Sequence, residues 1–204
     1  MARRRRITLT KRWEDYVNKH VDKKFLICGL GPSFDTINLE DYKDYIKIGV
    51  NDIESKFKPD YLVIVDRINT FKGKRRDTII NTTCNTIFVN NDQFSRELGN
   101  FNHQALVSIN LININKDEGL FTNKIHFSNN STFIACDIAR LMGAKEISMI
   151  GVDFTDHKSL DNPKQIQRIN ADFNKLQKAF LTKGVKLYNL SKNSKLKLQT
   201  KYDD

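Results

Sequence analysis

Short runs of β-branched and aromatic residues recur along the chain: Phe25 to Leu30, Ile46 to Val50, Tyr61 to Val65, Thr86 to Val89, Ala105 to Ile114, Ile147 to Ile150 and Val185 to Leu190. Runs of this kind predict strands buried on both faces. Between them, Ser131 to Met142 and Gln165 to Lys183 repeat apolar positions at intervals of three and four, which predicts helices. Gly143 and Gly184 follow these helices where left-handed C-cap residues are expected. Ahead of the first strand, Trp13, Tyr16, Val17 and Val21 recur at helical spacing and predict a helix over Thr8 to Val21, packed on the sheet. Strands alternating with helices require right-handed crossovers, so the pattern predicts a mostly parallel sheet flanked by helices on both faces.

Length and charge sharpen this. The 204 residues, 39% hydrophobic, suffice for one core, which makes residues 8–204 a single Rossmann-like α/β domain. Residues 1–7 read as a flexible basic arm, because Arg3, Arg4, Arg5 and Arg6 repel one another and offer nothing to a core. The arm is either a solvated tail or a contact for nucleic acid or another polyanion through phosphate contacts. Lys and Arg number 34 against 24 Asp and Glu, a net charge of +10, which concentrates phosphate-bearing ligands around the protein. Cys28, Cys84 and Cys136 are odd in number and lack C-x-x-C spacing, so neither a disulfide framework nor a zinc site is indicated. With no apolar run of membrane-spanning length, the expectation is a soluble cytoplasmic protein whose oligomeric state the sequence leaves open.

In an open parallel sheet, ligands bind beyond the carboxyl ends of the strands. The first such end reads Cys28-Gly29-Leu30-Gly31-Pro32-Ser33. Gly29 and Gly31 let backbone approach a phosphate or ribose, Pro32 stiffens the turn and Ser33 caps the segment after it. The loop lacks both the G-x-G-x-x-G fingerprint and the P-loop lysine, which disfavours a dehydrogenase or a P-loop kinase. Two further strand ends carry polar residues, Asn51 after Gly49-Val50 and Asp66 after Val65; an Asn there suits a base or ribose, an Asp the ribose hydroxyls. At Asn129-Asn130-Ser131-Thr132 polar residues open a helix, where the free amides of Ser131 and Thr132 are expected to face an anion.

These motifs, with Ala144-Lys145-Glu146-Ile147, Gly151-Val152-Asp153-Phe154 and Gly184-Val185-Lys186-Leu187-Tyr188-Asn189-Leu190-Ser191, resemble the family 42 sialyltransferases and the related domain of 6-hydroxymethylpterin diphosphokinase-like proteins. The resemblance covers most of residues 24 to 195 and leaves roughly 70 to 125 unmatched. It implies a nucleotide-sugar donor, CMP-linked in the sialyltransferases, and transfer of the sugar without a metal. The nucleotide pocket it implies is lined by Gly29, Gly31, Pro32, Ser33, Asn51, Asn130, Ser131 and Thr132. No D-x-D stands at a strand end, in keeping with chemistry that needs no metal.

Sugar transfer needs a base at the acceptor hydroxyl and stabilisation of the departing phosphate. His157 and Asp153 are the candidate catalytic residues: His157, just beyond a strand end beside Asp156, is a base or an exposed loop residue, and Asp153 is a ligand of ribose or acceptor, the orienter of a loop, or a structural cap of the next turn. Lys72, Lys74, Arg75 and Arg76 form a basic cluster able to neutralise phosphates, or a solvated face. The leading expectation is therefore a metal-independent glycosyltransferase-like enzyme with an unknown, anionic acceptor. Two alternatives stand beside it: Mg²⁺-dependent diphosphate transfer to a small alcohol, with Asp66 and Asp153 as metal ligands, and a nucleotide- or nucleic-acid-binding module without catalysis.

Overall fold

The computed structural model describes residues 11–90, 105–113, 123–155 and 163–198. Its strands are β1 (Lys23–Cys28), β2 (Ile46–Val50), β3 (Tyr61–Ile64), β4 (Ile87–Asn90), β5 (Leu106–Ile109), β6 (Leu111–Ile112), β7 (Ile125–His126), β8 (Ala144–Ile150) and β9 (Lys186–Asn189). Three α-helices are described, α1 (Gly73–Ile80), α2 (Ser131–Leu141) and α3 (Pro163–Leu181). Seven strands form one parallel sheet in the order β5-β4-β3-β2-β1-β8-β9, while β6 and β7 pair separately. The chain walks outward from β1 to β5, then returns to the other side of β1 for β8 and β9. The direction of travel reverses between β1 and β8, the switch point beyond whose strand ends ligands bind in open sheets of this kind.

Burial on both faces explains the strand composition. Along β1, Phe25 and Ile27 enter the core cluster that holds α2 and α3, whereas Leu26 and Cys28 face the opposite cluster. The same period of two runs through β3, with Tyr61 and Val63 on one side and Leu62 and Ile64 on the other. The second face is covered by α1 and by short 3-10 turns that bring in Phe34, Ile53, Ile68 and Phe71.

Helix α2 crosses the centre of the first face. Phe133, Ile134, Ala135, Cys136, Ile138 and Ala139 are all fully buried. Its Asp137, equally buried, accepts from the backbone N–H and Nδ1 of His126 (2.8 Å each) and from Nε of Arg140 (2.7 Å). This carboxylate ties β7 to the helix and so fixes the segment that leads into Asn129 and Asn130. Gly143, at φ +98°, ends the helix as expected, and a Cβ there would lie 2.8 Å from Cα of Val21. Gly184 follows α3 at φ +72°.

Two expected elements differ. The helix expected over Thr8 to Val21 is a single 3-10 turn, Trp13–Tyr16, within the described residues. The spacing of its aromatics serves edge-to-face packing on Phe88 (5.7 Å from Trp13, 5.2 Å from Tyr16), not a longer helix. Asn18 and Asp22 then adopt positive φ, and the N–H groups of Asn18, His20 and Asp22 donate to the carbonyls of Leu141, Met142 and Gly143 at 2.8 Å. The strand expected over Ala105 to Ile114 breaks at Asn110, where Leu111–Ile112 leaves the main sheet for β7. Arg3 to Arg6 lie outside the described residues.

Candidate functional site

At the switch point the β1–β8 ladder continues past the strand ends. Gly29 N–H donates to Ile150 O and Gly31 N–H to Gly151 O, both at 2.8 Å. A Cβ on Gly29 would overlap Gly151 O, and one on Gly31 would overlap Asp153 Oδ2 and lie 2.8 Å from Gly151 O. The glycines are thus demanded by one loop packing on another. The space a side chain would need at either position is filled by the β8 loop.

Asp153 binds these loops together. It is 3% exposed. Its Oδ2 accepts from the N–H (3.0 Å) and Oγ (2.8 Å) of Ser33, and its Oδ1 accepts from Ser191 Oγ. Ser33 Oγ also accepts from Gly151 N–H at 3.0 Å, and Asp153 O accepts from Lys195 N–H at 2.9 Å. One carboxylate therefore connects the chain beyond β1, β8 and β9. Of the roles expected for Asp153, the geometry matches the orienter of a loop.

Above this junction lies a cavity of about 460 Å³, large enough for a small ligand. It gathers residues expected from sequence: Gly29, Gly31, Pro32, Asn51, Asp66, Asn130, Ser131, Thr132 and Asp153 all line it. Ser33 works from beneath through Asp153. His157 lies outside the described residues, although Thr155, two positions earlier, is part of the wall. Among the described residues no group of three or more His, Cys, Asp or Glu is placed to hold a metal ion.

Asn51 stands out in this wall. Its φ is +54°, a left-handed conformation uncommon outside glycine, and its N–H is fixed by Val63 O at 3.0 Å. Its Oδ1 is buried without a hydrogen-bond partner among the described residues. A buried acceptor left unpaired costs about 1–3 kcal/mol. The start of α2 corrects one expectation. Asn130 Oδ1 accepts from the N–H groups of Thr132 (2.9 Å) and Phe133 (3.1 Å) and from Thr132 Oγ1, so the amide of Thr132 is already used and Ser131 is the open position.

Sequence reasoning did not find the other walls. Val152, Phe154 and Ile169 make an apolar side, with Phe154 held at φ +55°. Opposite, Asp52 accepts from Nε of Arg75 (3.0 and 3.1 Å) and from its Nη2 (2.8 Å). Of the basic cluster, Arg75 lines the cavity, while Lys72, Lys74 and Arg76 are exposed outside it. Asp66 is open to water within the cavity, yet the protein around it desolvates its carboxyl and raises its pKa, with the charge of Arg75 pulling the other way.

The chain matches no protein-family model and no curated protein. Solved structures do share its fold. The sialyltransferase CstII from Campylobacter jejuni, in complex with the substrate analogue CMP-3FNeuAc, is 17% identical over 84% of this chain and 82% of that one, with a TM-score of 0.50. A complex of CST-II with CMP gives 18% identity, 84% and 83% coverage and a TM-score of 0.50. A glycosyltransferase from Magnetospirillum magneticum AMB-1 is 16% identical over 71% of this chain, which spans 25% of that protein, with a TM-score of 0.46. The chain has a sialyltransferase-like fold.

The geometry leads to two expected outcomes. Gly31→Ala is expected to lower stability by about 1–3 kcal/mol in urea unfolding, because the added methyl displaces Asp153 or Gly151. Asp66→Asn is expected to raise the melting temperature at neutral pH. A carboxyl whose pKa is raised on folding favours the folded state only while protonated, so the gain disappears as pH falls below 3.8, the ordinary aspartate value.

Proposed function

We propose that this protein is a glycosyltransferase-like enzyme acting on a nucleotide-activated sugar, with CMP as the nucleotide. The observation that carries the reading is the unpaired, buried Oδ1 of Asn51, held in a left-handed conformation over a crevice at the switch point. An acceptor so placed selects a ligand with a hydroxyl or amino group. The apolar wall of Val152, Phe154 and Ile169 suits a nucleobase, and the open start of α2 at Ser131 suits a phosphate. The fold shared with CstII, whose structures hold CMP and a CMP-sugar analogue, points the same way.

In this reading the donor phosphate sits between the glycine loop and Ser131, where the helix dipole stabilises the charge that grows as the sugar leaves. Asp153 is a positioning residue, since it reaches the ligand through the loop that it anchors. His157 supplies the base that takes the proton of the acceptor hydroxyl. The alternative of Mg²⁺-assisted diphosphate transfer needs two carboxylates beside the phosphates. Both oxygens of Asp153 are engaged by serine hydroxyls, which leaves Asp66 for that task.

Thermal melting with CMP, UDP, GDP and ATP, each with EDTA or Mg²⁺, tests the reading. CMP at a hundred-fold excess over its Kd is expected to stabilise the protein by about 2.7 kcal/mol with EDTA present. Asn51→Ala is expected to weaken CMP binding about ten-fold, the value of roughly one hydrogen bond. Stabilisation by ATP alone, and only with Mg²⁺, would transfer the assignment to diphosphate transfer.

A further inference from the structure

The crevice has two chemically different ends. Its apolar end, Val152, Phe154 and Ile169, lies beside β8 and α3, and its charged end, Asp52, Asp66 and Arg75, lies beyond β2 and β3. Strands β1 and β3 are separated by β2, two ladder spacings or about 10 Å. With a base at the apolar end and a phosphate at the glycine loop, the sugar side of the ligand extends toward the charged end.

Arg75 is prepared for recognition. Its Nε and Nη2 are held by Asp52, whose side chain is 9% exposed, and its guanidinium lies 5.1 Å from the centroid of the Phe71 ring. The Arg75 side chain is nevertheless 51% exposed, and its Nη1 has no partner among the described residues. The Asp52 contact joins α1 to the turn after β2, and it leaves one edge of an oriented guanidinium unused on a residue that lines the cavity. That planar edge matches a carboxylate or phosphate, and a side chain already fixed loses little entropy on binding.

We infer that the charged end is a subsite for a carboxylate- or phosphate-bearing sugar, with Arg75 as its recognition residue oriented by Asp52 and Phe71. The inference rests on the nucleotide-sugar reading, and the anion is carried either by the transferred sugar or by the acceptor. Asp66, at the same end without an ion pair to Arg75, provides an acceptor for sugar hydroxyls.

Isothermal titration with glucuronate, glucose 6-phosphate and glucose, with and without saturating CMP, tests it. Wild-type protein is expected to bind the two charged sugars at least ten-fold more tightly than glucose. Arg75→Lys, which keeps the charge but loses the fork, is expected to reduce that preference. The double variant Asp52→Asn with Arg75→Gln, which leaves no buried carboxylate unpaired, is expected to abolish it and to leave the Kd for CMP within two-fold. Absence of the preference in wild type, or its persistence in the folded double variant, would overturn the inference. The source of the anion is read with CMP-N-acetylneuraminate: weakening of this donor relative to CMP in the variants assigns the anion to the transferred sugar. An effect confined to the free charged sugars in the presence of bound donor assigns it to the acceptor. Titrations without CMP read Arg75 by itself, so a protein that ignores CMP but keeps the Arg75-dependent preference refutes the nucleotide reading and upholds the anionic-sugar subsite.

Discussion

The site is organised by one buried carboxylate. Asp153 sits where the chain leaves β8 and holds Ser33, beyond β1, with one oxygen and Ser191, beyond β9, with the other. Burying a charged group is costly unless its lone pairs are filled, and here hydroxyls and a backbone amide fill them. The folded chain gains a fixed relation between three strand ends at the place where the strand order reverses. Asn51, Ser131 and the apolar wall are arranged around that junction.

The same contact accounts for the glycines. A glycine loop at a strand end is often explained by a ligand it must approach, but Gly29 and Gly31 are pressed against Gly151 and Asp153, with ladder hydrogen bonds passing between the loops. Close loop packing comes first, and the backbone surface of the crevice is its result. Strain sits nearby, with Asn51 and Phe154 both at positive φ on opposite walls. Backbone in such conformations persists where surrounding structure over-determines it, and at Asn51 the hydrogen bond to Val63 O of β3 is part of that constraint.

Much of this was legible in the chain. Runs such as Phe25 to Leu30 and Tyr61 to Val65 announce strands because both faces are buried, and Gly143 and Gly184 announce helix ends because left-handed residues favour glycine. The polar residues at strand ends, Asn51 and Asp66, meet in one cavity because parallel strands place all their carboxyl ends on one edge. Other features depend on tertiary context. The helical spacing of Trp13 and Tyr16 reflects packing on Phe88. Helix α1 buries Ile79 within a charged and polar sequence and so carries little periodic signal. Arg75 is one of four neighbouring cations until Asp52 selects it. That the amide of Thr132 is capped by Asn130 was available from helix-start chemistry, since an Asn at the N-cap serves those amides before any ligand does.

Hydrogen exchange on the Asp153→Ala variant, read residue by residue with and without CMP, tests the organising role of this carboxylate most directly. The account predicts faster exchange of the amides of Gly31 and Ser33, unchanged protection of the β1 and β8 amides within the core, and loss of the slowing that the proposed CMP binding is expected to bring in the wild-type protein. A variant that keeps the Gly31 and Ser33 amides protected and still responds to CMP as the wild type does would contradict it.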